Sequence, residues 1–173
     1  LKYYVKIFLV ICMIFKHPLK PIYNKDSKIL ILGSFPSVKS RECKFYYGNK
    51  TNRFWSILES LYQVKLNTNE EKEKFLLDNN IAIFDVIKEC EIDGSKDSSI
   101  KNVKVNDINK ILKETKIEYI FTTGKKAFSY YNLYLKDKTK KEAIYLPSPS
   151  SANASFNLND LIKEYQIILD LNR

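Results

Sequence analysis

KILILG, residues 28–33, sets the reading of the whole chain. Four aliphatic residues run without a polar break between a lysine and a glycine. A strand with one wet face would alternate apolar and polar residues. A short continuous run is what a strand covered on both faces carries, as in a parallel sheet. The same signature recurs at Ile81–Val86 (IAIFDV), Tyr119–Thr122 (YIFT) and Ala143–Leu146 (AIYL). Between these runs the period becomes helical. Asn52–Val64 puts Phe54, Ile57, Leu58 and Leu61 on one face. Thr68 with Glu71 forms a capping box before EEKEKFLLDNN. Asn106 is expected to cap a helix through Glu114, Gly124 to open the helix KKAFSYYNLYL, and Asn157 or Asn159 to cap a closing helix. Residues 34–51 and 88–104 read as loops. Strands alternating with helices predict an α/β fold, a three-layer α/β/α sandwich around a central, mainly parallel four-stranded sheet.

The 173 residues fit one domain with a substantial core, and no repeat, linker or composition break divides them. The amino-terminal run Val5–Phe15 contains Lys6 and is too short to span a bilayer. It also lacks the small-residue cleavage site of a signal peptide. The sole methionine is Met13, and a start there leaves 161 residues with 27 basic and 20 acidic side chains, a net +7. Residues 1–12 are therefore expected to be translated upstream sequence outside a single domain at 13–173. A signal or anchor, or an extra element packed on the domain, are the alternatives.

Over the whole chain 29 Lys+Arg face 20 Asp+Glu, a net charge of +9. That balance favours a polyanionic partner, nucleic acid first and an anionic membrane surface second, against a plain reading in which it serves solubility. With 45% apolar and 13% aromatic residues, a disordered or collagen-like chain is excluded. Cys12, Cys43 and Cys90 show no CxxC pair and no Cys/His cluster. This excludes a disulfide framework and argues against structural zinc or a four-cysteine iron–sulfur cluster, so no metal is expected. The single histidine, His17, disfavours any mechanism needing a His pair.

In parallel sheets ligands bind beyond the carboxyl ends of the strands. That rule selects residues 33–52, 85–100, 122–126 and 146–155. Gly33 and Pro36 make a tight turn after the first strand, where the backbone N–H groups of Ser34 and Phe35 could hold a carbonyl or anionic oxygen. The spacing is neither GxxxxGK[ST] nor GxGxxG. Phe45, Tyr46 and Tyr47 form an aromatic triplet, either buried packing or a stacking platform. Asn52 is an N-cap, or an amide that orients water or a base. Trp55 reads as core. Asp85 could accept a ring N–H or cap the following turn, with Asp97, Ser98 and Ser99 beside it. LPSPSSANAS, residues 146–155, is stiffened by two prolines, and its small residues allow close approach to phosphate. No His or Asp pairs with a serine in a triad-like way, which argues against serine hydrolase chemistry.

GSFPS (33–37), FYYGNKTNRFW (45–55) and LPSPSSAN (146–153) together resemble the uracil-DNA glycosylase superfamily, and within it the hypoxanthine- (deoxyinosine-) DNA glycosylase branch. HPLKPIY (17–23), DVIKECEIDGSKDSSI (85–100) and TGKKA (123–127) extend the likeness from about His17 to the end. The resemblance implies a monofunctional glycosylase of base excision repair. Such an enzyme hydrolyses the N-glycosidic bond of deaminated bases, chiefly hypoxanthine, in double-stranded DNA. It implies no cofactor, no iron–sulfur cluster, no membrane, and a cytoplasmic monomer.

In the superfamily the first loop holds the flipped base and positions water, while the last loop enters the minor groove and grips the backbone. Several branches carry Asp or Asn just after the first strand, where this sequence has Ser34. Several carry His at the head of the last loop, where it has Leu146. Both departures match the hypoxanthine branch, which implies Asn52 as the catalytic residue. On this reading Tyr47, helped by Tyr46, stacks on the base. The N–H groups of Ser34 and Phe35 and the carboxylate of Asp85 contact its edge. Lys125, Lys126, Ser148, Ser150, Ser151 and Asn153 contact DNA. Lys50 replaces the usual Pro of the FYYGxP stretch, and SPSSAN replaces the commoner STSPAN. Two other readings stand beside this one: a uracil or mismatch glycosylase of wider range, and a non-catalytic flavodoxin-like module that binds nucleotides or nucleic acid.

Overall fold

A computed structural model of the chain describes residues 14–92 and 99–172. The expected extension at 1–12, and Asp97 and Ser98, lie outside the described residues. In chain order the elements are β1 (Ile14–Lys16), β2 (Ile29–Gly33), α1 (Val38–Glu42), α2 (Phe54–Tyr62), α3 (Asn69–Asp78), β3 (Ile81–Asp85), β4 (Ile87–Glu91), β5 (Lys101–Val105), α4 (Ile108–Glu114), β6 (Tyr119–Thr123), α5 (Lys125–Tyr134), α6 (Lys136–Thr139), β7 (Ala143–Leu146) and α7 (Leu158–Leu171).

The central sheet has four parallel strands in the order β3-β2-β6-β7, flanked by helices as the aliphatic runs require. All five residues of β2 and of β3 are buried. The chain runs from β2 outward to β3, then crosses back past β2 to β6. This reversal leaves a crevice beyond the carboxyl ends of β2 and β6. Caps set the helix starts. Thr68 and Glu71 form the expected capping box on α3, and Asn157 with Asp160 forms another on α7, which settles the Asn157 or Asn159 alternative. Gly124, at φ +90°, precedes α5, a conformation that L side chains rarely adopt.

Three expectations are corrected. The supposed polar loop 88–104 contains β4 and β5, which pair antiparallel and join β1 in a second, three-stranded sheet of order β1-β4-β5. Register shifts between Ile87 and Glu89 and between Glu89 and Glu91 break the alternation that would have marked a strand. β5 is an outer strand carrying Lys101 and Lys104, which suits an edge and hides it in sequence. The second correction concerns α4, whose cap is Asp107, with its side chain accepting from Lys110 N–H. Asn106 is buried instead, and its Nδ2 donates to the carbonyls of Asp85 (2.9 Å) and Ile87 (3.1 Å). It ties the end of β3 to the start of β4. The short α1 lies inside the region read as a loop, begun by Ser37, which accepts from Ser40 N–H.

Candidate active site

A cleft of about 160 Å³ opens where the carboxyl ends of β2, β3 and β6 meet the loop after β7. Its floor is set by pairing. Gly33 and Asp85, the last residues of β2 and β3, are register partners. A Cβ on Gly33 would lie 2.2 Å from Asp85 Oδ1, so glycine alone lets the carboxylate lie over the strand end. Asp85 is 5% exposed. Its Oδ2 accepts a hydrogen bond from His17 Nε2 at 2.8 Å, and its Oδ1 has no donor among the described residues.

The aromatic triplet divides. Phe45 is core and stacks on Trp55 at 5.7 Å, with Trp55 Nε1 donating to the Tyr46 carbonyl. Tyr46 borders the cleft but is 3% exposed, and its hydroxyl donates to the Lys20 carbonyl. Burial, reinforced by the charge of Asp85 and by Tyr47, pushes its phenol far above the ordinary value and keeps it neutral. Tyr47 is the partly open member. It holds φ +51°, lies against Phe54 at 3.9 Å with a 16° interplanar angle, and shares a 2.8 Å hydroxyl–hydroxyl hydrogen bond with Thr123. One ring face is thus covered by protein and the tip is fixed to the end of β6.

Ser34 and Phe35 form the turn after β2 and line the cleft. The Ser34 carbonyl accepts from Ile87 N–H, which leaves this turn held by β4. Phe35 is 8% exposed and meets the His17 ring edge-on at 5.8 Å. Asn52 also lines the cleft. Its Oδ1 accepts from Phe54 N–H at 3.0 Å, and its own N–H donates to Asn49. The N-cap reading of Asn52 is corrected: the cap position of α2 is Arg53, and Asn52, one residue earlier, meets the helix start through one lone pair only. The rest of the amide, Nδ2 included, is held in a fixed orientation at the cleft.

Sequence reasoning missed how the last loop is held. The Arg53 guanidinium donates from Nε to Pro149 O (3.3 Å), from Nη2 to Ser150 O (2.6 Å) and Asn153 O (3.0 Å), and from Nη1 to Phe156 O. Its backbone N–H also donates to Pro149 O. A planar five-donor fork suits such convergent carbonyls. The loop's own polar side chains work inward as well. Ser148 Oγ accepts from Ser150 N–H, Ser150 Oγ from Ala152 N–H, and Asn153 Nδ2 donates to Ser148 O. Ser151 Oγ shares a 3.0 Å hydrogen bond with Thr51 Oγ1. Ser148 and Ser150 reach the cleft, whereas Ser151 is exposed on the rim. A Cβ on Gly124 would come within 3.1 Å of Ser148 Cβ, so Gly124 also lets this loop settle on the start of α5. Lys125 is exposed on the first turn of α5, and Lys126 lies 5.2 Å from the Tyr130 ring centre. Neither lysine lines the cleft.

The missed residues, His17 and Arg53, stand inside the quoted HPLKPIY and NRFW stretches. Nothing local to either stretch says which distant groups they meet, 68 and about 100 residues away. Among the described residues no helix is long and apolar enough to cross a membrane, and no group of three or more His, Cys, Asp or Glu side chains is arranged to hold a metal ion.

Residues 20–169 match the family model described as the uracil DNA glycosylase superfamily. The chain is 37% identical over 142 residues to a hypoxanthine DNA glycosylase of Methanosarcina acetivorans, covering 80% of this chain and 88% of that protein. It is 31% identical over 119 residues to a hypoxanthine DNA glycosylase of Methanosarcina barkeri, covering 66% and 75% of the two chains. A solution NMR structure from Methanosarcina acetivorans, provisionally described as a uracil DNA glycosylase, superposes with a TM-score of 0.78 at 32% identity, over 93% of this chain and all of that one. Continuous aliphatic strands, a cleft at their carboxyl ends and a serine–proline loop closing it thus occur in a chain that belongs to the uracil DNA glycosylase superfamily.

Proposed function

We propose that the protein is a monofunctional DNA glycosylase that releases deaminated bases, chiefly hypoxanthine, from double-stranded DNA. The observation that carries this is the pairing at the cleft floor, a carboxylate whose Oδ1 has no donor among the described residues, beside the turn after β2. Deamination of adenine replaces an amine beside an acceptor nitrogen by a carbonyl beside an N–H. A carboxylate opposite that N–H and backbone donors opposite that carbonyl suit the deaminated edge and oppose the parent base. Asp85 Oδ1 accepts N1–H of hypoxanthine, and the Ser34 and Phe35 N–H groups donate to O6. Tyr47, backed by Phe54, stacks on the purine.

The nucleotide must first leave the helix, at a cost of a few kcal/mol that is smallest at a mispair. Loop 146–155, braced by Arg53, holds the distorted backbone. Lys125 and Lys126 at the start of α5 add phosphate attraction, with the salt dependence of such contacts. In the chemical step the C1′–N9 bond breaks and its electron pair goes to the base, where the floor donors stabilise the developing charge. Water oriented by Asn52 bonds to C1′, and the proton it gives up neutralises the departing base, leaving an abasic site and a free base. The reading takes the protein as a monomer, and no cofactor enters the scheme. The reading includes a cytoplasmic setting.

The test is a base-release panel with inosine, uracil and xanthine duplexes. Hypoxanthine should be released fastest. No release of any base at low salt with excess enzyme refutes the proposal, and faster release of uracil turns it into a glycosylase of wider range.

A further inference from the structure

We infer that His17 is a positioning residue for Asp85, and that the small antiparallel sheet exists at this site to deliver it. The inference rests on the proposed role of Asp85 as the acceptor for the base N–H. His17 follows directly after β1, and its backbone N–H donates to Lys88 O on β4 at 2.8 Å. β1 is in turn paired to β4 at Phe15 with Cys90 and at Lys16 with Glu89. The histidine is thus anchored on the second sheet while its ring reaches the end of the first. The two side chains are almost wholly enclosed, 2% exposed for His17 and 7% for Asp85. Phe35 and Phe84 meet the ring edge-on, at 5.8 and 5.1 Å. Its Nδ1 lies 2.9 Å from Leu19 O. Ring rotation would break all of these contacts together.

The consequence for Asp85 is directional. An aspartate side chain turns freely about its last bond, and both of its oxygens are equivalent acceptors. Donation from His17 Nε2 to Oδ2 removes that freedom. Asn106 fixes the backbone on either side by donating to Asp85 O and Ile87 O. Oδ1 is then held above Gly33 at the cleft floor. A carboxylate that enters the reaction already oriented does not lose rotational freedom when the base arrives. His17 touches neither base nor sugar in this scheme, and it is absent from the cleft wall.

The experiment is a double-mutant cycle on single-turnover hypoxanthine release from an inosine duplex, using His17→Leu, Asp85→Ala and the combined variant. Binding to the same duplex is measured in parallel. His17→Gln, which keeps an N–H donor at the reach of Nε2, is the conservative control. Asp85→Ala is expected to slow release about 10–100-fold, the range for a lost hydrogen bond to a charged group. His17→Leu should slow it by about tenfold without weakening binding, and should cost nothing further once Asp85 is alanine. His17→Gln should stay within about threefold of wild type, well under the tenfold expected for loss of the donor. The sole histidine also gives an NMR reading that needs no variant. Its ring should show a proton bonded to Nε2 in the wild-type protein.

A wild-type rate for His17→Leu overturns the inference, as do multiplying effects of His17→Leu and Asp85→Ala, or an unprotonated Nε2. The NMR and His17→Gln results decide the matter should His17→Leu fail to fold. A wild-type rate for Asp85→Ala is a different failure. It removes Asp85 from base recognition, and with it the role of its partner. An impaired Asp85→Ala with an unimpaired His17→Leu leaves the base reading standing and removes His17 alone.

Discussion

Replacing Gly33 by alanine should be harmful for a reason visible in one distance. The added Cβ would sit 2.2 Å from Asp85 Oδ1, 3.4 Å from Tyr47 Oη and 3.5 Å from Asp85 Cγ. The last two are ordinary contacts. The first is about 1 Å too close for carbon and oxygen, so the carboxylate must move. It cannot move without leaving His17, because both side chains are enclosed and the 2.8 Å hydrogen bond joins them. Overpacking of this kind costs about 1–3 kcal/mol. Against that, the backbone of Gly33 has no positive φ, so alanine fits its conformation and restricts the unfolded chain, a gain of about 0.4–1 kcal/mol. The net expectation is a loss of about 1–2 kcal/mol, or about 2–8 °C in Tm for a domain of this size. Urea unfolding of Gly33→Ala, Asp85→Ala and the double variant measures it. In the Asp85→Ala background the obstructing oxygen is gone, and the sign should reverse, making Gly33→Ala neutral or slightly stabilising. Release of hypoxanthine by Gly33→Ala should fall about tenfold or more, since a displaced carboxylate forfeits a charge-assisted hydrogen bond. Equal destabilisation in both backgrounds would refute the reasoning, because the clash would then lie elsewhere.

Asn52→Ala should reduce single-turnover base release by at least about a hundredfold while duplex binding stays within about twofold, and the loss of the Phe54 N–H acceptor should lower stability by about 1 kcal/mol. Unchanged rates would leave Asn52 as a helix-start residue only. Tyr47→Leu should slow release about tenfold through lost stacking, and Tyr47→Phe should stay closer to wild type because it keeps the ring while giving up the bond to Thr123. A wild-type rate for Tyr47→Leu would make the ring a packing residue. Arg53→Lys should weaken binding of an inosine duplex and destabilise the fold by about 2–4 kcal/mol, because a lysine ammonium cannot span the carbonyls of Pro149, Ser150, Asn153 and Phe156. Unaltered binding and stability together would remove Arg53 as the brace of the last loop.

Much of the fold is legible in the sequence because its strands are covered on both faces. β2 and β3 carry nine apolar or small residues in two short runs, with only Asp85 polar, and all ten positions are buried. The antiparallel sheet is not legible for the opposite reason. β5 has one partner strand, two lysines and mixed exposure, and β4 shifts register twice, so neither carries a period. The same contrast governs the site. Gly33, Ser34, Phe35, Asn52 and Asp85 stand at the ends of elements that the pattern reveals, and the rule about carboxyl ends of parallel strands finds them. Tyr46 and Tyr47 are adjacent and chemically equal in sequence. Only the positive φ of Tyr47 and the core contacts of Tyr46 separate a partly open ring from a buried one. Asn106 and Asp107 are equally good caps by composition. The buried carbonyls of Asp85 and Ile87 require a donor, and that claims Asn106 and leaves Asp107 for the helix.

The single histidine carries the largest change in reading. Its solitude argues against any mechanism that needs a pair of histidines, and that argument still holds, since His17 is enclosed and outside the cleft wall. Yet excluding it from chemistry does not make it neutral. A buried carboxylate at the floor of a cleft is costly unless its oxygens are satisfied. His17 satisfies one of them, and an incoming N–H satisfies the other. On the proposed reading a base without that N–H would leave Oδ1 facing an acceptor nitrogen, so the floor would reject adenine and cytosine by the same contact that accepts their deaminated products. Selectivity of this origin is blunt among deaminated bases, because hypoxanthine, uracil and xanthine share the carbonyl and N–H. Discrimination between them then falls to stacking area and cleft depth, that is to Tyr47 and the Asn52 side of the wall. Substitutions at Asp85 and His17 should therefore lower release of all deaminated bases in parallel, whereas substitutions at Tyr47 should change their order.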